Sequence, residues 1–135
     1  MNNLVGQIPT EIGQQKLLVA FRASENALTG TMPSELQSIR SLQLRALHVN
    51  ALSGQICTEF GKLSNLQILS VHQNRLQGSL PALNLPSLVG LYVFDNVLRG
   101  TIPLALALLE QVRALALHRN SFSGSVPASL LAHPE

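Results

Sequence analysis

Three of the four histidines, His48, His72 and His118, each stand two residues before an asparagine, and Phe94 holds the same place before another. Imidazoles recurring in one register could ligate a metal, move protons near neutral pH or contact a ligand. Around them lie Ser70, Tyr92, Asp95 and Arg119. Ser70, His72 and Asp95 are the residue types of a nucleophile, its base and an orienting acid. Tyr, Phe and Arg are types that dominate the energetics of protein interfaces. Which chemistry applies depends on the elements that place these residues in space.

Those elements come from a repeat. NNLVGQIP from Asn2, NALTGTMP from Asn26, NALSGQIC from Asn50, NRLQGSLP from Asn74, NVLRGTIP from Asn96 and NSFSGSVP from Asn120 are versions of one motif. The asparagines are spaced 24, 24, 24, 22 and 24 residues apart, as in stacked supersecondary units. Three residues before the Asn stand Ala23, Leu47, Val71, Val93 and Leu117; five before it stand Phe21, Arg45, Leu69, Leu91 and Leu115. The alternation predicts a short half-buried strand in each coil, and strands recurring once per coil stack in parallel.

The Asn falls at the bend leaving the strand, where inward-turning backbone groups need partners. Its carboxamide offers two donors and an acceptor, so Asn26, Asn50, Asn74, Asn96 and Asn120 are expected to form a ladder between coils. Gly four residues on permits a turn or close coil contact. Pro three residues further, with Cys57 in its place in the third coil, starts the outer segment. There TEIG, SELQ and TEFG set a hydroxyl beside an acid at the start of one or two helical turns. The unit containing PALNLPSL is two residues short, so its outer segment is expected to be mostly loop.

Composition narrows the partners. Charged residues make up 12% of the chain and the net charge is +2, too slight a bias for nucleic acid or an anionic membrane. Four Phe, one Tyr and no Trp leave no stacking platform for bases. Cys57 is the lone cysteine, so no internal disulfide can form. No apolar run is long enough for a membrane span, the N-terminus lacks an export-signal pattern, and no Asn heads a glycosylation acceptor.

The pattern LxxLxLxxNxLxGxIPxxLGxLxxL, seen best in LSNLQILSVHQNRLQGSLP, resembles the plant-type leucine-rich repeat from Asn2 to about Leu130. The resemblance implies an α/β fold: a right-handed solenoid with one curved parallel sheet on its concave face and short 3₁₀, α or loop segments on the convex face. It also implies non-catalytic recognition of ligands, as in the ectodomains of receptor-like kinases and receptor-like proteins, and a cell-surface or extracellular setting. Against that pattern, Arg45 sits where a buried Leu belongs, which is expected to shift the strand locally or send the stem snorkelling. Ala23 underfills its slot, and the paired-cysteine caps of similar ectodomains are absent. Residues 1–135 therefore read as one solenoid segment of five to six repeats of 22–24 residues, uncapped at both ends. A structural segment that self-associates through those ends is the alternative to recognition. An inhibitor of a secreted glycan hydrolase, similar to polygalacturonase-inhibiting proteins, is a third reading.

On such a sheet the residues four, two and one before each Asn are expected to face outward. Adjacent strands lie roughly 4.8 Å apart, so His48 and His72 could share an ion, whereas His118 lies two strands beyond His72, behind Phe94. Two ligands do not close a zinc site, so no metal or other cofactor is expected. Two neighbouring imidazoles disfavour double protonation. The histidine column is also what duplicated, solvent-facing positions would show, and one of the aromatics could simply cover the shortened unit. For hydrolysis, no strained turn or helix N-terminus supplies an oxyanion hole, and an open face does not exclude water. The reading is a non-enzymatic binding face formed by His48, His72, Tyr92, Phe94, Asp95, His118 and Arg119. Its expected partner is a protein or peptide, with no nucleic acid and no membrane insertion.

Overall fold

The computed structural model describes residues 2–131. The closing AHPE, at one of the two ends read above as uncapped, lies outside them. Among the described residues the strands are β1 (Val5–Gln7), β2 (Ala20–Arg22), β3 (Ala27–Thr29), β4 (Leu44–Ala46), β5 (Ile68–Ser70), β6 (Gln77–Ser79), β7 (Gly90–Tyr92), β8 (Val97–Thr101), β9 (Ala114–Ala116) and β10 (Ser121–Ser123). One parallel sheet runs β2-β4-β5-β7-β9, with Phe21, Arg45, Leu69, Leu91 and Leu115 in register. Alternation turns these residues inward and their neighbours outward, and a slip of one residue would exchange the faces. Leu47, Leu69, Val71, Leu91 and Val93 are fully buried behind the sheet, in one core that continues through Leu36, Phe60, Leu83 and Leu106.

The outer segments are 3₁₀ turns at Thr10–Gln14, Ser34–Ser38, Thr58–Lys62, Leu104–Leu108 and Ala128–Leu131. The shortened unit has none, and residues 80–89 run as loop and turn. Cys57 takes φ −76° before its 3₁₀ turn, close to the −64° of Pro33, so the backbone holds the Pro conformation without the ring. The hydroxyls of Thr10, Ser34 and Thr58 do not cap these turns; each bonds the Oε2 of the next Glu at 3.3 Å. Strands stacked at roughly 4.8 Å take less room than the turns behind them, which puts the sheet on the inside of the bend.

A second parallel ladder, beyond the reach of the repeat pattern, follows each Asn. β1 pairs β3, β6 pairs β8 and β8 pairs β10, with Thr31 bridging Ser53 between the two sets. The motif glycines close this ladder with left-handed φ. At Gly54 φ is +79°, and a Cβ there would lie 2.8 Å from Thr31 Cγ2.

Between the two ladders sit the asparagines. Asn74 Nδ2 donates to the carbonyls of Leu47 (3.0 Å), Val71 (3.1 Å) and His72 (3.2 Å), and its Oδ1 accepts from Leu52 N at 3.0 Å. Leu47 and Leu52 belong to the preceding coil, so one side chain closes its own bend and ties it to its neighbour. Asn50, Asn96 and Asn120 repeat this set, and Asn26 accepts from Leu4 N while donating within its own coil. The bend puts the residue before each Asn in the left-handed region: Glu25, Val49, Gln73, Asp95 and Arg119 have φ of 50–56°. Such a φ costs a non-glycine residue about 1–2 kcal/mol, which the carboxamide bonds offset.

Arg45 corrects the expectation set out for it. The strand does not shift and the stem does not snorkel: the residue is fully buried in register, with its guanidinium carbon 4.3 Å from the centre of the Phe60 ring. None of its three side-chain nitrogens has a hydrogen-bond partner, and burial pushes its pKa down to about 10. The ring face compensates part of the desolvation.

Two stability predictions follow from these contacts. Asn74→Ala orphans Leu52 N–H, while the Leu47 carbonyl keeps Asn50 Nδ2, and should lower unfolding free energy by about 1–3 kcal/mol in urea titration; an unchanged midpoint would contradict the ladder. Arg45→Met removes an unpaired buried charge while filling similar space, and should stabilise by about 1–4 kcal/mol in the same assay, with a loss of stability counting against this account.

Candidate functional site

The outer face of the five-stranded sheet is formed by every second residue of each strand and the position just beyond it. Across the strands these rows read Ala20, Leu44, Ile68, Gly90, Ala114; then Arg22, Ala46, Ser70, Tyr92, Ala116; then Ser24, His48, His72, Phe94, His118. The last row is a continuous stack of rings. His48 and His72 lie 4.4 Å apart at 9°, His72 and Phe94 4.2 Å apart at 14°, and Phe94 and His118 4.5 Å apart at 11°. These separations are close to the strand spacing, so the sheet sets the stack. Tyr92 meets His72 edge-on at 6.5 Å.

Ser70 locks two of the rings. Its Oγ lies 3.1 Å from Nδ1 of His48 and 3.1 Å from Nδ1 of His72. One hydroxyl proton can be donated to only one Nδ1, and the other ring must donate its own N–H to the oxygen. The two neutral imidazoles are therefore opposite tautomers, one offering Nε2–H and the other an Nε2 lone pair. This use of both Nδ1 atoms does not form a shared ion site. Among the described residues no three His, Cys, Asp or Glu side chains cluster closely enough to hold a metal.

Asp95 and Arg119 stand just beyond the strands, in the left-handed bend, with the Arg119 side chain mostly exposed and Asp95 close enough to act on His72. They pair with each other at 3.4 Å, and with Arg119 74% exposed the bond contributes little. The Asp95 carboxylate is thus turned to Arg119, while Ser70 and His72 bond to one another. Tyr92 has a packing role as well: a Cβ on Gly90 would lie 2.7 Å from its Cε2, so the ring covers that glycine in the shortened unit.

Sequence reasoning missed the first row. Leu44 and Ile68 stand on the open face, and with Arg22, Ser24, Ala46, His48, Ser70, His72 and Tyr92 they line a trough of about 410 Å³. Extending the strand alternation by two residues would have found them, as apolar residues where a solvated face needs polar ones.

His72 titrates below its ordinary value, first because it is partly buried and then because of His48 beside it, with Asp95 pulling the other way. A histidine lowered on folding binds fewer protons folded than unfolded, so it costs stability as pH falls through the ordinary value and costs nothing well above it. His72→Phe keeps a ring in the stack without the titration. Between about pH 7.5 and about pH 5 its melting temperature should fall less than that of the wild type, and an equal or larger fall would contradict the assignment.

No protein-family model and no curated protein matches the sequence. Solved structures do. The plant peptide hormone receptor RGFR1, in complex with RGF2, superposes with a TM-score of 0.96 at 38% identity, over 98% of this chain and 22% of that one. The leucine-rich-repeat ectodomain of the Arabidopsis receptor kinase HAESA, in complex with an IDA peptide hormone, gives 0.94 at 32% identity, over 96% of this chain and 22% of the other. The ectodomain of the receptor kinase SOBIR1 from Arabidopsis thaliana gives 0.83 at 30% identity, over 90% of this chain and 70% of that ectodomain. The chain thus spans under a quarter of the length of the first two. Repeating strands, 3₁₀ turns, bridging asparagines and these superpositions lead to one conclusion: the chain belongs to the plant-type leucine-rich-repeat family.

Proposed function

We propose that this chain is a non-catalytic recognition module that binds a protein or peptide through the concave sheet face. The observation that carries the reading is the ring stack His48–His72–Phe94–His118, a rigid row whose edges stay open to solvent. Fixed rings lose little conformational entropy on binding, so they make effective contacts at low cost. Tyr92, Asp95 and Arg119 extend the surface with a phenol and one charge of each sign at the rim. RGFR1 and HAESA, both superposed above, are receptors solved with peptide hormones, which supports a peptide as the ligand class and a cell-surface setting. An open sheet with a pre-bonded Ser–His pair favours holding a ligand over transforming it.

The test is to select peptides against the chain by display and measure them on Phe94→Ala/His118→Ala. Those two residues are chosen because Tyr92 also covers Gly90. Selected peptides should bind the variant at least about tenfold more weakly, with its melting temperature preserved. Equal binding to variant and wild type would place recognition elsewhere and overturn the proposal.

A further inference from the structure

The ring stack has a missing rung. It runs from His118 through Phe94 and His72 to His48, and the next position in the row is Ser24. Glu25 N bonds His48 O at 2.9 Å, so the two coils are adjacent there as everywhere in the sheet. A serine is too short to reach over the neighbouring imidazole, and among the described residues no ring covers that side of His48.

The trough lies beside this gap. Buried Ala46 and Ser70 form its floor, Leu44 and Ile68 one wall and the imidazoles the other. Arg22 and Tyr92 close its ends, because register sets them on either side of the Ala46–Ser70 pair. Polar capacity inside is sparse. The Ser70 hydroxyl is already used by both imidazoles, and no carboxylate is among the lining residues. The fixed charge at the site is the Arg22 guanidinium, which has no ion pair among the described residues. A space bounded by aliphatic side chains, one open imidazole face and one cation complements a flat apolar group that carries a negative charge.

We propose that the trough receives an aromatic residue of the peptide ligand, its ring completing the stack on His48 and its own or adjacent carboxylate paired with Arg22. The proposal rests on the recognition reading above and adds the chemistry of the group bound. The ring gains offset stacking on His48 and burial over Ser24 and beside Ala46. The carboxylate takes two donors from the planar guanidinium.

The probe is N-acetylphenylalanine, titrated while the ring protons of His48 are followed by NMR. A ligand of its size should bind in the range of roughly 1 mM and move those protons upfield in a saturable way. N-acetylphenylalaninamide, which lacks the carboxylate, should bind about threefold more weakly, and Arg22→Gln should erase that difference. Ser24→Phe should shift His48 without any probe and abolish the response; Ser24→His, which fills the rung with a residue the row already uses, serves the same purpose if Phe impairs folding. Absence of a saturable shift at His48, or probe binding that survives both Ser24 variants, would overturn the proposal. Selected peptides that lose affinity on Phe94→Ala/His118→Ala yet ignore the Ser24 variants would sink this inference alone and leave concave-face recognition standing.

Discussion

The structure depends on a carboxamide at the bend of each coil. A chain that turns inward after every strand buries peptide groups that neither ladder can pair. Asn74 answers three of them at once, the Leu47 and Val71 carbonyls and Leu52 N–H, and two of the three belong to the preceding coil. Because the same atoms serve folding within a coil and cohesion between coils, the repeat length is tightly constrained. The unit between Asn74 and Asn96 shows where slack exists. It loses two residues from its outer segment, and its helical turn with them, while Asn96 keeps its bonds to Val71, Val93 and Leu76. Shortening is tolerated where water can satisfy the backbone, not at the bend.

That constraint produces the surface. With the asparagines in register, Ser24, His48, His72, Phe94 and His118 become neighbours although about two dozen residues separate each from the next. Nothing in the local sequence makes His72 stack on Phe94; strand spacing does. The same spacing brings Ser70 between two imidazoles and aligns Arg22 with Ala46. The proposed recognition face is a product of the repeat, in which each coil contributes one residue per row and substitutions in a row adjust the surface without touching the core.

Much of this was legible in the sequence because the repeat reports its own geometry. The sheet, its inward rows, the 3₁₀ turns and the loop in the shortened unit follow from apolar spacing and from Pro, whose φ is fixed. The flank ladder was not legible, since its outward residues, such as Thr29, Gln77 and Arg99, share no pattern of hydrophobicity. The left-handed φ of Asp95 and Arg119 was not legible either, because alternation says nothing about where a strand ends. Arg45 escaped because burying an unpaired guanidinium is costly and snorkelling is the cheaper expectation. Only the position of the Phe60 ring, set by a turn fifteen residues later, shows why the cation stays inside.

Amide hydrogen exchange by NMR tests the central claim most directly. The N–H groups of Leu28, Leu52, Leu76 and Leu98 have side-chain acceptors, the Oδ1 atoms of Asn50, Asn74, Asn96 and Asn120, at 2.9–3.0 Å. If these bonds hold the coils together, the four amides should exchange as slowly as those of the central strands, because only global opening would release them. Exchange at the rate of the outer loops would mean that the asparagines do not bind the coils, and the account would fail.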